Sequence, residues 1–207
     1  MIRRQDDGAL TILTLDRPDK ANSLTRAMLA DLVGHLRDTR DRQALILTGT
    51  GKVFSAGADL DEARAGLAID GIWEEVSGTL ASLPCLTIAA LNGTLAGGAF
   101  GMALACDIRL GVPGARFFYP VMKLGYLPQP SDPARLAALV GPGRARLILM
   151  GGARVEADEA LAWGLVDRLS PPETLLADAR ALTTDALAAS PGHPGRIKDL
   201  IPRVWSH

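Results

Sequence analysis

A chain of 207 residues with 22 Lys and Arg against 23 Asp and Glu carries a formal net charge of −1. That balance leaves no electrostatic footprint for nucleic acid or an anionic membrane surface, and 4% aromatic residues supply no base-stacking platform. With 48% hydrophobic residues and no repeat, low-complexity tract or linker, the composition fits one well-packed domain spanning 1–207.

In chain order, Met1 to Asp7 turns acidic where a signal peptide needs an apolar run, which predicts a cytoplasmic protein. Leu10 to Leu15 alternates apolar residues with threonine and reads as a strand, broken by Asp16-Arg17-Pro18-Asp19. Leu24, Met28, Leu32 and Leu36 are spaced by four and form one apolar stripe, predicting a helix from about Thr25 to Asp38. His35 lies on that helix, beside or opposite the stripe. Ala44 to Thr48 reads as a short buried strand ending in Gly49-Thr50-Gly51. Lys52 to Asp59 reads as a loop, and Trp73 to Leu83 as a helix. Leu86 to Cys106 has no charged residue and is long enough to cross a bilayer. Asn92-Gly93 and Gly97-Gly98 break it, however. The reading is a buried strand to Leu91, a turn, and a helix from Gly98 to Ala105. Cys85 and Cys106, in these apolar stretches, read as free buried thiols, with a single disulfide as the alternative. Ile108 to Val112 is a further strand. Helices are predicted at Pro133–Val140, Arg144–Met150, Glu156–Trp163, Thr174–Ala189 and Gly195–Val204. Strands alternating with helices and a helical last third predict an α/β fold with a largely parallel sheet.

Two glycine-bearing corners stand out, Ser55 to Leu60 and Asn92 to Gly98, each following a predicted buried strand and opening toward a helix. Backbone amides at such corners lack internal partners, and glycine or alanine lets a ligand approach them closely. Two such amides can grip one carbonyl oxygen. On spacing alone, tight packing is the stronger reading of the corners.

The corners belong to a longer ordered pattern. Asp16 to Leu24, Thr48 to Leu60, Asn92-Gly93 through Gly97-Gly98, Ala105 to Arg109, Ala115-Arg116-Phe117, Lys123-Leu124-Gly125 and Glu159 to Asp167 together resemble the enoyl-CoA hydratase/isomerase (crotonase) family. The resemblance runs from about Leu10 to Val166. It implies a crotonase-like (ClpP/crotonase) spiral of ββα units with C-terminal helices, assembled as a homotrimer or dimer of trimers. It implies an oxyanion hole made by Ala58 and Gly98 N–H, stabilising a thioester enolate. It also implies that coenzyme A, part of the substrate rather than a tightly bound cofactor, lies along Lys20, Ala21, Ala56, Gly57, Asp59 and Leu60. Lys20 reads either as a phosphate contact or as a solvated loop lysine.

The family's hydratases use two glutamates, and here those positions are Gly101 and Val121. Neither transfers a proton. Some members place an aspartate at the position of Gln129. Tyr119, Tyr126 and Asp132 are the remaining candidates for acid/base work in the segment that lines the acyl pocket. Ser131 or Asp132 ahead of Pro133 also reads as a helix cap, and Asp61 and Glu62 read as a solvated helix start or as residues at the cleft mouth. Family members continue for a few tens of residues past Arg203, so the ending Trp205-Ser206-His207 predicts a more open pocket and altered trimer contacts. The spacing suggests no metal-ligand cluster, P-loop or Ser-His-Asp arrangement. The expected function is an acyl-CoA enzyme performing isomerisation, decarboxylation or thioester hydrolysis rather than two-glutamate hydration. The alternative is a non-catalytic acyl-CoA-binding or assembly subunit.

Overall fold

The computed structural model describes residues 1–201. The strands are β1 (Ile2–Asp7), β2 (Leu10–Leu15), β3 (Ala44–Gly49), β4 (Val53–Ser55), β5 (Leu86–Leu91), β6 (Thr94–Ala96), β7 (Ile108–Gly111), β8 (Arg116–Phe118), β9 (Val155–Glu156) and β10 (Arg168–Leu169). The first five helices are α1 (Arg26–Arg37), α2 (Leu60–Arg64), α3 (Ile72–Ala81), α4 (Phe100–Ala105) and α5 (Val121–Leu124). The last five are α6 (Asp132–Leu149), α7 (Ala157–Trp163), α8 (Leu175–Ala181), α9 (Thr184–Ala188) and α10 (His193–Leu200).

The larger sheet has the order β1-β2-β3-β5-β7-β10, parallel throughout except for β1, which pairs antiparallel with β2. The smaller sheet, β4-β6-β8-β9, takes one short strand after each of β3, β5 and β7. A strand of the large sheet, a strand of the small sheet and then helix, three times over, is the repeated ββα unit the resemblance implies. The α/β fold class is therefore present as expected, with helices crowding the last third.

The predicted α1 stripe, Met28, Leu32 and Leu36 with Leu24 ahead of it, is buried against the sheet. One expected helix needs correction, and one strand lies where the sequence marks none. The segment Ile2–Asp7 forms an edge strand although only Ile2 is buried, because hairpin pairing with β2 through the Gly8 turn satisfies its backbone. The expected single helix Thr174–Ala189 is two, α8 and α9. Thr183 is buried there and its hydroxyl donates to Arg180 O, ending the ladder. Conversely, Asp132–Leu149 is one element kinked at Gly141-Pro142, where Gly141 has φ 80 and ψ 157, so the two helical stretches foreseen there are its two limbs. The predicted extension of α10 to Val204, and Trp205 to His207, lie outside the described residues. Among those residues no helix is long and apolar enough to cross a membrane, and Cys85 and Cys106 are free and buried.

Two asparagines tie the sheet ends together. Asn22 is fully buried in the left-handed region (φ 52). It accepts from Arg17 N–H at 2.8 Å and donates to Thr50 O at 2.9 Å and Val53 O at 2.7 Å. Asn92 accepts from Gly49 N–H at 3.0 Å and donates to Gly51 O at 2.9 Å. Both side chains crowd Gly49 so closely that a Cβ there would lie 2.8 Å from Asn92 Oδ1 and 2.9 Å from Asn22 Nδ2. Truncating Asn22 strands buried backbone groups at about 1 kcal/mol or more each. Asn22→Ala is expected to lower unfolding free energy by about 3 kcal/mol in urea denaturation. A loss within error of zero would show that the clamp carries no stability.

Candidate active site

The first corner leaves β4 at Ser55 and enters α2 at Leu60; the second leaves β6 at Ala96 and enters α4 through the 3-10 turn Gly97–Ala99. They touch. A Cβ on Gly57 (φ +91) would sit 2.9 Å from Ala96 O and 3.3 Å from Gly97 Cα, so only glycine permits this approach. Among the described residues, neither Ala58 N–H nor Gly98 N–H donates to an acceptor. Both residues line a cavity of about 130 Å³. Amides without acceptors beside an apolar pocket are the chemical means of holding an oxygen that gains negative charge.

The residues expected along coenzyme A are brought together at this corner. Ala56 N–H donates to Ala21 O at 3.0 Å, and Ser55 Oγ donates to Asn22 O at 2.8 Å. The turn carrying the exposed Lys20 and Ala21 is thereby drawn onto the corner. Leu24 N–H donates to Gly57 O and Asp59 N–H to Leu24 O, so residues 56 to 59 run beside 21 to 24. Asp59 has structural partners of its own. Its Oδ2 lies 2.8 Å from Arg17 Nη1, which holds its carboxyl below the usual range, and its Oδ1 caps α2 at Asp61 N–H. Leu60 is exposed on the pocket wall. Asp61 is solvated and pairs with Arg64, while Glu62 accepts from Arg26 N–H at the start of α1.

Tyr119 and Tyr126 both line the cavity, Tyr119 buried and Tyr126 more than a third exposed beside Leu124 and Leu127. Val121 is on the wall as well. Three further residues that no sequence signal marked shape the site. Trp73 closes it from α3, with ring atoms 3.1–3.2 Å from where a Gly98 Cβ would be; its Nε1–H donates to Leu67 O at 2.8 Å. A tryptophan in an apolar helix reads as core, and only the tertiary fold aims it at the corner. Glu74 and Arg135 lie in a polar cluster with Asp132.

Asp132 is fully buried and does not line the cavity; it stands behind Tyr119. Tyr119 Oη–H donates to its Oδ2 at 2.9 Å, while Oδ1 has no partner. The helix-cap reading is corrected: Ser131 holds the cap position, but its hydroxyl and N–H both donate to Glu74, and Asp132 points inward. Burial pushes the Asp132 carboxyl up to about 7, against the Tyr119 hydrogen bond and Arg135; Glu74 pushes it further up. Burial likewise pushes the Tyr119 phenol up. It lowers Arg135, whose Nε and Nη1 have no partner. The described residues contain no group of three or more His, Cys, Asp or Glu able to hold a metal.

The chain is similar to characterised sequences across its length. A family profile described as enoyl-CoA hydratase/isomerase matches residues 5–204. A short-chain-enoyl-CoA hydratase of Clostridium acetobutylicum is 33% identical over 196 residues, 90% of this chain and 75% of the relative. A carnitinyl-CoA dehydratase of Citrobacter koseri is 35% identical over 203 residues, 93% of this chain and 77% of the relative. Among solved structures, an enoyl-CoA hydratase subunit I from Geobacillus kaustophilus superposes with TM-score 0.86 at 33% identity, covering 96% of this chain and 79% of that one.

The raised Asp132 carboxyl has a consequence for stability. Between about pH 4 and 7 the folded protein keeps a proton at this site that the unfolded chain releases, so stability falls as pH rises through that window. The contribution is complete below the ordinary carboxylate range and lost above about pH 7. Asp132→Asn is uncharged in both states and lacks this slope. Urea titrations are expected to show the wild type losing a few kcal/mol relative to Asp132→Asn between about pH 4 and 7. Parallel pH profiles would mean that Asp132 ionises normally.

Proposed function

This chain belongs to the enoyl-CoA hydratase/isomerase family, a family of acyl-CoA enzymes, and on that premise we propose that it is an acyl-CoA thioester enzyme whose Ala58 and Gly98 amides bind the thioester oxygen. The observation carrying this reading is the pair of partnerless amides at one apolar cavity, held there by two corners in backbone contact. Donors aimed at an oxygen that becomes an enolate stabilise the transition state more than the substrate, and losing one typically costs about 3–4 kcal/mol. Coenzyme A would run along Lys20, Ala21, Ala56, Gly57, Asp59 and Leu60 as part of the substrate.

With Gly101 and Val121 where two glutamates are expected, the reaction is one that does without that pair of carboxylates: isomerisation, with one tyrosine or aspartate removing and returning the proton, decarboxylation, or thioester hydrolysis. Tyr119 is the acid/base group favoured by position, since it lines the cavity and contacts a buried carboxyl. Tyr126 stands at the mouth. The non-catalytic acyl-CoA-binding reading is disfavoured by that same buried pair, because a scaffold gains nothing from a carboxyl buried without a partner at Oδ1.

Self-association into a trimer or dimer of trimers draws support from the outer face beside the pocket. Met122 and Leu124 are each 57% exposed there, Leu127 85% and Met150 61%, and Met122, Leu127 and Met150 border one groove. Apolar side chains so displayed mark an association surface.

The enzyme reading is tested by incubating near-stoichiometric protein with crotonyl-, 3-enoyl-, malonyl- and methylmalonyl-CoA and following the products by chromatography and mass spectrometry. A shifted retention time, loss of carbon dioxide or free coenzyme A is expected on at least one of them. Measurable coenzyme A binding with silence across the panel would transfer the assignment to a binding role. For the assembly, sedimentation velocity is expected to show an oligomer that Leu127→Asp with Met150→Asp shifts to a smaller species. A wild-type monomer at micromolar concentration refutes it.

A further inference from the structure

If the cavity handles a thioester enolate, as proposed above, something must set which way the Tyr119 hydroxyl points. The ring of Tyr119 stacks on Phe100 with centroids 5.4 Å apart and an interplanar angle of 26°. The oxygen is thereby fixed, and only its hydrogen can turn. Asp132 Oδ2 takes that hydrogen at 2.9 Å, and Gln129 N–H approaches the same oxygen at 3.4 Å. The other carboxyl oxygen fills the space that a side chain at residue 101 would need: a Cβ on Gly101 would lie 2.8 Å from Asp132 Oδ1. The glycine on α4 and the aspartate opening α6 thus occupy one volume between them.

We propose that Asp132 is a positioning residue for Tyr119, so that the phenol hydrogen is available to a ligand in the cavity only while Asp132 itself carries a proton. An ionised carboxylate only accepts, so it captures the Tyr119 O–H and leaves none for the pocket. A carboxylic acid donates to the phenol oxygen instead, and the phenol hydrogen turns toward the ligand. In the protonation of an enolate, the Tyr119 O–H bond breaks as the new C–H bond forms. The phenol oxygen takes the Asp132 proton, and Asp132 is left as carboxylate until a proton from water restores it. The pair loses one proton and the product gains it.

The surroundings are consistent with a carboxyl that keeps its proton. Its Oδ1 has no donor, which disfavours the charged form. The charged groups facing it are Arg135 on its own helix and Glu74 on α3, of opposite sign, with Tyr119 from the segment after β8. From α4, residues 100–105 present no charged side chain. Burial places the carboxyl close to neutrality and keeps the Tyr119 phenol protonated as a donor.

The test combines pH–rate profiles with infrared difference spectroscopy on the full-length protein. Wild-type turnover is expected to fall by about tenfold per pH unit above roughly pH 7. Asp132→Asn, whose amide donates to the phenol oxygen at every pH but has no proton to give it, is expected to turn over more slowly than wild type yet well above Tyr119→Phe, and to lose that alkaline limb. Tyr119→Phe is expected to lose about 10²-fold or more throughout. An Asp132→Asn enzyme as impaired as Tyr119→Phe, or one whose alkaline limb is unmoved, overturns the assignment. The spectroscopic arm needs no turnover. A protonated-carboxyl C=O band should disappear as pH rises through about 7 and be missing in Asp132→Asn. Its absence from the wild type at about pH 5 overturns the assignment whatever the kinetics show. A present band with silence on every acyl-CoA instead counts against the enzyme reading, and the two failures are thereby told apart.

Discussion

Gly57 and Gly97 lie back to back with only main chain between them, and the rest of the site depends on that contact. A methyl group on Gly57 would drive into Ala96 O and Gly97 Cα. Two turns so close bring Ala58 and Gly98, whose N–H groups donate to no acceptor among the described residues, onto the lining of one cavity. The contact is costly in backbone freedom, and the surrounding polar ties offset it. Ser55 Oγ bridges Asn22 O and Gly57 N–H; Asn92 holds the β3–β4 turn against the β5–β6 turn, and Asn22 holds the same turn against the segment after β2. The large parallel sheet delivers both corners to the same edge because β3 and β5 are neighbours in register.

Much of this was legible in the sequence. Continuous apolar runs marked β3, β5 and β7, the four-residue spacing marked α1, and the ordered motifs marked the corners and the pocket segment. Strands of two or three residues, such as β4, β8 and β9, are too short for any periodicity to register. β1 is a polar edge that only its hairpin partner reveals. At the site, Ala58, Gly98, Tyr119 and Tyr126 do share one cavity. Asp132 looked like a helix cap because Ser-Asp-Pro opens helices in general; its inward turn follows from Glu74 taking the Ser131 donors, a contact 57 residues apart in sequence. Likewise, nothing local to Gly101 announces that its missing side chain is the space for Asp132.

The cluster of Asp132, Tyr119, Glu74 and Arg135 runs against the economy of the remaining core. Elsewhere buried charge keeps a close ionic partner, as with Arg109, which lies 2.9 Å from Asp167 and 2.8 Å from Cys106 O and leaves only its Nε unpartnered. Here a carboxyl oxygen and two guanidinium nitrogens stay unpartnered inside the fold. Groups left so are destabilising by about 1–3 kcal/mol each, a loss that packing alone does not require at this position. Sites that sacrifice stability in this way are the ones where a chain departs from its own folding logic.

Leu124, Tyr126 and Leu127 line the cavity and also stand on the exposed apolar face. One set of side chains thus belongs to two boundaries. Any body covering that face reshapes the entrance, and any ligand filling the entrance alters what the face presents. Thermodynamic linkage then makes the coupling mutual: whatever factor assembly applies to ligand affinity, the ligand returns to assembly. For a chain that self-associates through this face, as proposed, dilution is itself an effector.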